Sequence, residues 1–166
     1  MAVRILVTGG TFDKEYDEIQ GRLFFKDTHM LEILALGRCR VDVEVRTLML
    51  VDSLEMTDQD RNLVAENCLS VPESQIVITH GTDTMVETAR VLARRVDGKT
   101  VVLTGAMIPI AFGSSDGLFN LGGAIAAAQV LPSGVYVVMN GRVFPWDQVR
   151  KNRATGIFER LRSGGS

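Results

Sequence analysis

The chain has 166 residues, 46 % of them hydrophobic, a formal net charge of −2 and two cysteines. That length reads as one domain, with room for a core that needs no disulfide or metal to hold it. The charge balance, with no basic stripe or polybasic segment, argues against nucleic acid or a membrane surface as a partner.

No run reaches the roughly 18 apolar residues of a membrane span. The opening MAVRILVTGG reads as a first strand and its turn, not as a signal peptide. The cytoplasm is the expected compartment. Residues 3–8 are that strand, and a loop runs from 9 to about 27. The spacing predicts a helix over 29–37, with Gly37 as its C-terminal cap. Strict alternation marks a second strand over 41–50. Thr57 then opens a helix as N-cap, with Asp58 and Asp60 in its first turn, and Pro72 ends it. The third strand is 75–80. After it, Thr84 and Glu87 form the pattern of a capping box, and Val86, Ala89, Leu92, Ala93 and Val96 recur at helical spacing. The fourth strand and its exit turn are 100–107. A loop rich in Pro, Gly and Ser leads to a helix of small residues over 118–131. Residues 134–144 are the fifth strand and its exit. The remainder is polar and basic, and 161–166 read as an unstructured tail. Cys39 and Cys68 fit no metal or redox spacing.

Alternating strands and helices, with strands that are nearly all apolar, predict a parallel sheet covered on both faces. The expected fold is α/β: a doubly wound, flavodoxin-like three-layer sandwich in one domain over 1–160, with predicted strands in the order 2-1-3-4-5. Ligands of such sheets bind where the order reverses, at the carboxyl ends of strands 1 and 3. TGGTF follows strand 1 and THGTDT follows strand 3. VDSLEM and TGAM follow strands 2 and 4. Thr11, Ser53, Thr82, Asp83 and Thr104 are thereby expected on one rim. Gly9 and Gly10 let the backbone bend sharply and come close to a ligand, and N–H groups there and at the helix start after Gly81 are expected to bind a carboxylate or an oxyanion. Taken singly, Thr82, Thr84 and Asp83 also suit a helix start, and His80 suits a structural role. TGGTF matches neither GxGxxG nor GxxxxGK[ST], and no Ser–His–Asp, Cys–His or metal-ligand spacing is present. The residues alone predict an α/β domain with a polar, anion-binding rim.

ILVTGGTF together with ITHGTDTMVETA closely resembles the bacterial L-asparaginase family. VDSLEMT, VVLTGAM, SSDGLFNL and GVYVVMNGRVF resemble further segments of that family in the same order, so the likeness spans 5–152. It is to a short, single-domain form that matches the N-terminal domain of the longer enzymes. The resemblance implies an amidohydrolase that converts L-asparagine to L-aspartate and ammonia, with glutaminase activity as a side reaction and no metal or organic cofactor. It implies Thr11 as nucleophile, Thr82 as second catalytic threonine, Asp83 as its acid, and Tyr16 as the tyrosine of a flexible lid over 13–26. Gly10, Ser53, Leu54, Gly81, Thr82 and Asp83 become the substrate-binding set, with Ser53 on the substrate α-carboxylate. A homo-oligomer is expected from the family. The family's catalytic lysine is expected late in the helix after the DGxFN segment. The matching position here is near Leu131, which leaves Asp83 unpartnered and leaves Lys14, Tyr16 or a bound water as the substitute base. Glu55 or a partner-subunit residue is expected to stand in for contacts of the absent second domain. The alternative is a non-catalytic or weakly active domain that binds aspartate or another small amino acid. A flavodoxin-like mononucleotide domain has only fold analogy behind it.

Overall fold

The computed structural model describes residues 2–162. Strand β1 (Val3–Gly9) leads into a hairpin of β2 (Lys14–Asp17) and β3 (Arg22–Phe25), then helix α1 (Met30–Leu36). Next come β4 (Val43–Val51), α2 (Asp58–Ser70), β5 (Gln75–Thr79), α3 (Met85–Arg95), β6 (Thr100–Thr104) and α4 (Gly117–Val130). Four strands close the chain: β7 (Gly134–Met139), β8 (Arg142–Pro145), β9 (Val149–Asn152) and β10 (Ile157–Arg160).

The main sheet has the order β4-β1-β5-β6-β7-β8. Its first five strands are parallel, and β8 pairs antiparallel with β7. In predicted-strand numbers this is 2-1-3-4-5, with one antiparallel strand added at the edge. Successive side chains of a strand point to opposite faces, and the core divides accordingly. Leu6, Ile76, Ile78 and Leu103 pack with Val64, Met85, Ala89 and Leu92 of α2 and α3. Ile5, Val7, Val77 and Val102 pack with Met30, Ile33, Leu121 and Ala124 of α1 and α4. These are the three expected layers.

The predicted strand over 134–144 is two strands. Asn140 and Gly141 take φ of 56° and 80° and turn β7 back on itself as β8. Asn-Gly is the residue pair that accepts positive φ at both turn positions. The loop expected after β1 holds the β2–β3 hairpin, and the polar remainder forms a second hairpin, β9–β10. Of the expected tail, Leu161 is anchored by its N–H to the Gln148 carbonyl; residues 163–166 lie outside those described.

Two expected caps are built differently. Gly37 follows α1 in a helical conformation, and the left-handed residue is Arg38, at φ 52°. The Cys39 N–H bonds to the Leu34 carbonyl and the Arg38 N–H to the Ala35 carbonyl, which closes the helix end. Gly37 instead lies against the Leu118 side chain, whose Cδ1 would stand 2.9 Å from a Cβ at that position. Thr57 does cap α2, in a reciprocal capping box with Asp60. Thr84 forms no such box at α3; its hydroxyl is used elsewhere, as described below. Cys39 and Cys68 are both free, and burial pushes the Cys68 thiol up to about 12. No helix among the described residues is long and apolar enough to cross a membrane.

The Asn140–Gly141 turn supplies a stability test. A side chain with Cβ in the left-handed region costs about 1–2 kcal/mol, and here it would also press on the Phe119 ring at 3.3 Å. Gly141→Ala is expected to lower unfolding free energy in urea by about that amount; an unchanged midpoint would show that the turn relaxes freely.

Candidate active site

The rim forms because three turns meet at backbone contact. Gly10 follows β1 with φ 71°, and a Cβ on it would lie 2.4 Å from the Gly81 nitrogen. A Cβ on Gly81 would in turn lie 2.5 Å from Cβ and Oγ of Ser53. No side chain fits at either point. Thr11 and Thr82 therefore leave one junction on adjacent strands, and Ser53 lies against it. The Gly10 N–H donates to the Val51 carbonyl at 2.9 Å, which ties the turn after β1 to the end of β4.

Ser53 is buried in a short 3-10 turn, Ser53–Glu55. Its Oγ accepts from the Thr84 N–H at 3.3 Å, and its carbonyl accepts from the Thr84 hydroxyl at 2.8 Å. The threonine expected to cap α3 thus joins the Ser53 turn to the Thr82 turn. Leu54, beside Ser53, keeps a 62 % exposed side chain.

Lys151 on β9 reaches into this junction. Its Nζ donates to Oγ1 of Thr82 and to Oδ1 of Asp83, each at 2.8 Å. The Lys151 side chain is 10 % exposed and that of Asp83 34 %. This corrects the expectation that Asp83 lacks a cationic partner. The lysine comes from the second hairpin, 20 positions beyond Leu131, and not from α4. One signal in the sequence points to it. In VRKN, Val149 and Lys151 stand two apart, so they share the inward face of a strand, and NRATG beyond them is a turn. Because Lys151 donates to Thr82 Oγ1, the Thr82 hydroxyl proton points elsewhere, toward the Met107 sulfur at 3.7 Å. Arg153, on the turn after β9, donates to the Asp83 carbonyl at 2.9 Å.

The other expected residues fall as follows. Thr11 begins a 3-10 turn, Thr11–Asp13, and is half-buried. Tyr16 is 57 % exposed on β2, and among the described residues it has no hydrogen bond to Thr11, Thr82, Asp83 or Lys151. Thr104 is buried, but its hydroxyl donates to the Val138 carbonyl at 2.7 Å, within the sheet. Lys14 pairs with Asp52 at 2.6 Å. Glu55 is exposed. Asp13 is buried directly behind Thr11, where desolvation raises its carboxyl above the usual carboxylate range against opposing hydrogen bonds from the His29 N–H and the Thr28 hydroxyl. The DGLFN segment holds the loops of the rim. Asp116 accepts from the N–H groups of Met107 and Ile108, and Asn120 bridges the Gly105 carbonyl to the Asn140 N–H. Among the described residues, no three His, Cys, Asp or Glu side chains converge as a metal site would require.

His80 supports the Thr82 turn from beneath. It is fully buried, with Nδ1 2.8 Å from the Gly81 carbonyl and Nε2 2.7 Å from the Thr88 hydroxyl. A carbonyl only accepts, so Nδ1 carries the proton and Nε2 accepts from Thr88. Arg61 Nε donates to that same Thr88 oxygen at 3.1 Å. Burial, and then the Arg61 charge, push the His80 pKa down to about 4, against the Gly81 hydrogen bond. Between pH 6.5 and pH 4 the unfolded chain therefore binds a proton that the native chain does not, and stability falls as pH falls. The loss from this group reaches roughly 3 kcal/mol by pH 4. Urea unfolding at pH 7, 5.5 and 4.5 is expected to show this slope in the wild type and a shallower one in His80→Gln; parallel slopes would remove His80 as its source.

Comparison with known proteins now bears on this geometry. The family model described as Asparaginase, N-terminal, matches residues 2–162. L-asparaginase 1 of Escherichia coli strain K12 is 37 % identical over 113 residues, which cover 65 % of this chain and 33 % of that protein. L-asparaginase of Thermococcus kodakarensis is 28 % identical over 162 residues, covering 95 % of this chain and 49 % of that one. A solved structure of the thermostable Thermococcus kodakarensis enzyme superposes with a TM-score of 0.86 at 29 % identity, over 97 % of this chain and 51 % of the other. A crystal structure of L-asparaginase I from Vibrio cholerae gives a TM-score of 0.85 at 28 % identity, over 96 % and 51 %. The chain spans about half or less of the length of these relatives. The match along the whole described chain, over a fold and a set of loops that meet at one rim, places it in the asparaginase family, where it corresponds to the N-terminal domain.

Proposed function

We propose that the chain is an amidohydrolase that converts L-asparagine to L-aspartate and ammonia, with Thr11 as nucleophile. One observation carries the reading: the Lys151 ammonium lies 2.8 Å from both Thr82 Oγ1 and Asp83 Oδ1, beside the glycine junction from which Thr11 departs. In this reading Thr11 Oγ adds to the carboxamide carbon. Ammonia leaves with the Thr11 proton, and water then cleaves the acyl-threonine ester to release L-aspartate. Thr82 orients a water or the substrate oxygen, because its proton faces away from Lys151 and the Met107 sulfur is a weak acceptor that a water displaces. Lys151 and Asp83 hold that hydroxyl and buffer the proton movement. Ser53 and the backbone at Gly10 and Gly81 take the substrate carboxylate and the oxyanion, and the exposed Leu54 borders them. Tyr16 takes part only if the β2–β3 hairpin swings inward over Thr11. Assembly into a homo-oligomer belongs to this proposal too. So does glutaminase side activity, since one methylene changes binding by only about 1–3 kcal/mol.

The alternative is a domain that binds aspartate without turnover; the lack of the lysine expected in α4 is its best support, and the Lys151–Asp83 pair counts against it. Ammonia release from L-asparagine and L-glutamine by the wild type, Thr11→Ala and Lys151→Met tests the proposal. Thr11→Ala is expected to fall to background. Lys151→Met is expected to lose about 10² to 10⁴ in kcat, the range for a displaced acid–base group. No release by wild type, or undiminished release by Thr11→Ala, would overturn it.

A further inference from the structure

Lys14 connects two turns that follow the carboxyl ends of the neighbouring parallel strands β1 and β4. Its backbone N–H donates to the Thr11 carbonyl and closes the 3-10 turn that begins at Thr11. Its ammonium donates to Oδ2 of Asp52 at 2.6 Å, with the Lys14 side chain only 16 % exposed and that of Asp52 32 %. The other Asp52 oxygen, Oδ1, accepts the Leu54 N–H at 2.9 Å, and the Asp52 carbonyl accepts the Glu55 N–H at 2.9 Å. Asp52 is thus the N-cap of the Ser53–Glu55 turn, and Lys14 neutralises and orients that cap. Thr84 holds the same turn from the opposite side.

Lys14 is itself held in place. It pairs with Phe25 across the β2–β3 hairpin, and its ammonium stands 5.7 Å from the centre of the Phe25 ring. Next to it, Asp13 Oδ1 accepts from the Thr28 hydroxyl and the His29 N–H, so the segments on both sides of the hairpin are pinned to one another. A side chain with so little freedom transmits position from one turn to the next. The bond to Lys14 is also the chief reason that the Asp52 carboxyl sits below its usual pKa. The Lys14 ammonium bonds to Asp52, and among the described residues it has no hydrogen bond to the Thr11 hydroxyl, so its geometry is that of a support for the Ser53 turn and not of the base that the sequence suggested.

We propose that Lys14 is a positioning residue: through Asp52 it holds the Ser53–Glu55 turn in register with the Thr11 turn, and so sets the affinity of the site for a substrate carboxylate. The affinity part rests on the reading of Ser53 as the carboxylate-binding residue. The positional part does not.

Three measurements on Lys14→Met, Lys14→Arg, Asp52→Asn and the Lys14→Met/Asp52→Asn double variant test it: steady-state kinetics on L-asparagine, calorimetric binding of L-aspartate, and amide hydrogen exchange at Leu54 without ligand. Lys14→Met is expected to raise KM and the aspartate Kd about tenfold, to keep kcat within about twofold, and to speed Leu54 exchange. Lys14→Arg restores the pair and stays close to wild type, which separates the effect from a general loss of folding. Asp52→Asn matches Lys14→Met, and the double variant is no worse than either single one. A fall in kcat at constant KM would make Lys14 a proton carrier and overturn the proposal. So would unchanged KM with unchanged Leu54 exchange. Should the wild type neither release ammonia nor bind L-aspartate, the hydrolase reading fails, while the Leu54 exchange in Lys14→Met still decides whether Lys14 holds the turn.

Discussion

Everything at the rim depends on a contact between two backbones. Gly10 and Gly81 approach so closely that an added methyl group on Gly10 would overlap the neighbouring peptide. Strands β1 and β5 are adjacent and parallel, and their carboxyl ends mark the point where the sheet order reverses. Only residues without Cβ let the two turns close over that point. Once they close, the next residue of each chain segment is a threonine, and Ser53 is carried against the junction by the end of β4. The polar groups come together because the glycines permit it. The polar groups then add the hydrogen bonds, through Thr84 and Lys14, that fix the angle at which the turns meet.

A site assembled this way has to keep charge in a partly buried place. Asp83 and Lys151 meet at one third and one tenth exposure, respectively, and each supplies the other's counter-charge. Removal of one partner of such a pair leaves a charge without compensation, a larger cost than the pair itself contributes. His80 takes the opposite course. It stays neutral in the core, with its tautomer set by a carbonyl on one side and a hydroxyl on the other, so that the turn above it rests on directed hydrogen bonds and not on an ion pair. The rim thus combines a charged half that faces the cleft with a neutral half that faces the core.

The five parallel strands, their order and the four helices were legible because they repeat a simple pattern: apolar runs of strand length alternating with helical spacing. The rim was legible for the same reason, since a known strand order decides which turns become neighbours. The family motifs then gave Thr11, Thr82 and Asp83 their expected roles. Lys151 was not legible in that way. It lies on a short hairpin after the last parallel strand, in a stretch whose density of charge reads as solvated surface, and only its two-residue spacing from Val149 sets it apart from Arg150 and Arg153. Thr84 and Glu87 show the opposite failure. Their spacing fits a capping box, but Thr84 is drawn to Ser53 and Glu87 to Arg61 at 3.4 Å. Tertiary partners outbid local ones. The split of 134–144 into β7 and β8 was written in Asn140 and Gly141, and a long apolar run obscured it.

The two borders of the main sheet bear on a different matter, solubility. A border strand exposes peptide groups that invite another chain to add on. On β4, Glu44 and Arg46 are both exposed, and charged side chains of this kind blunt a border strand. On the far side β8 is only four residues long and ends at Pro145, which has no N–H to offer. The hairpin turn at Asn140 therefore does more than reverse the chain: it replaces an open parallel border with a short strand that gives a neighbouring molecule little to pair with.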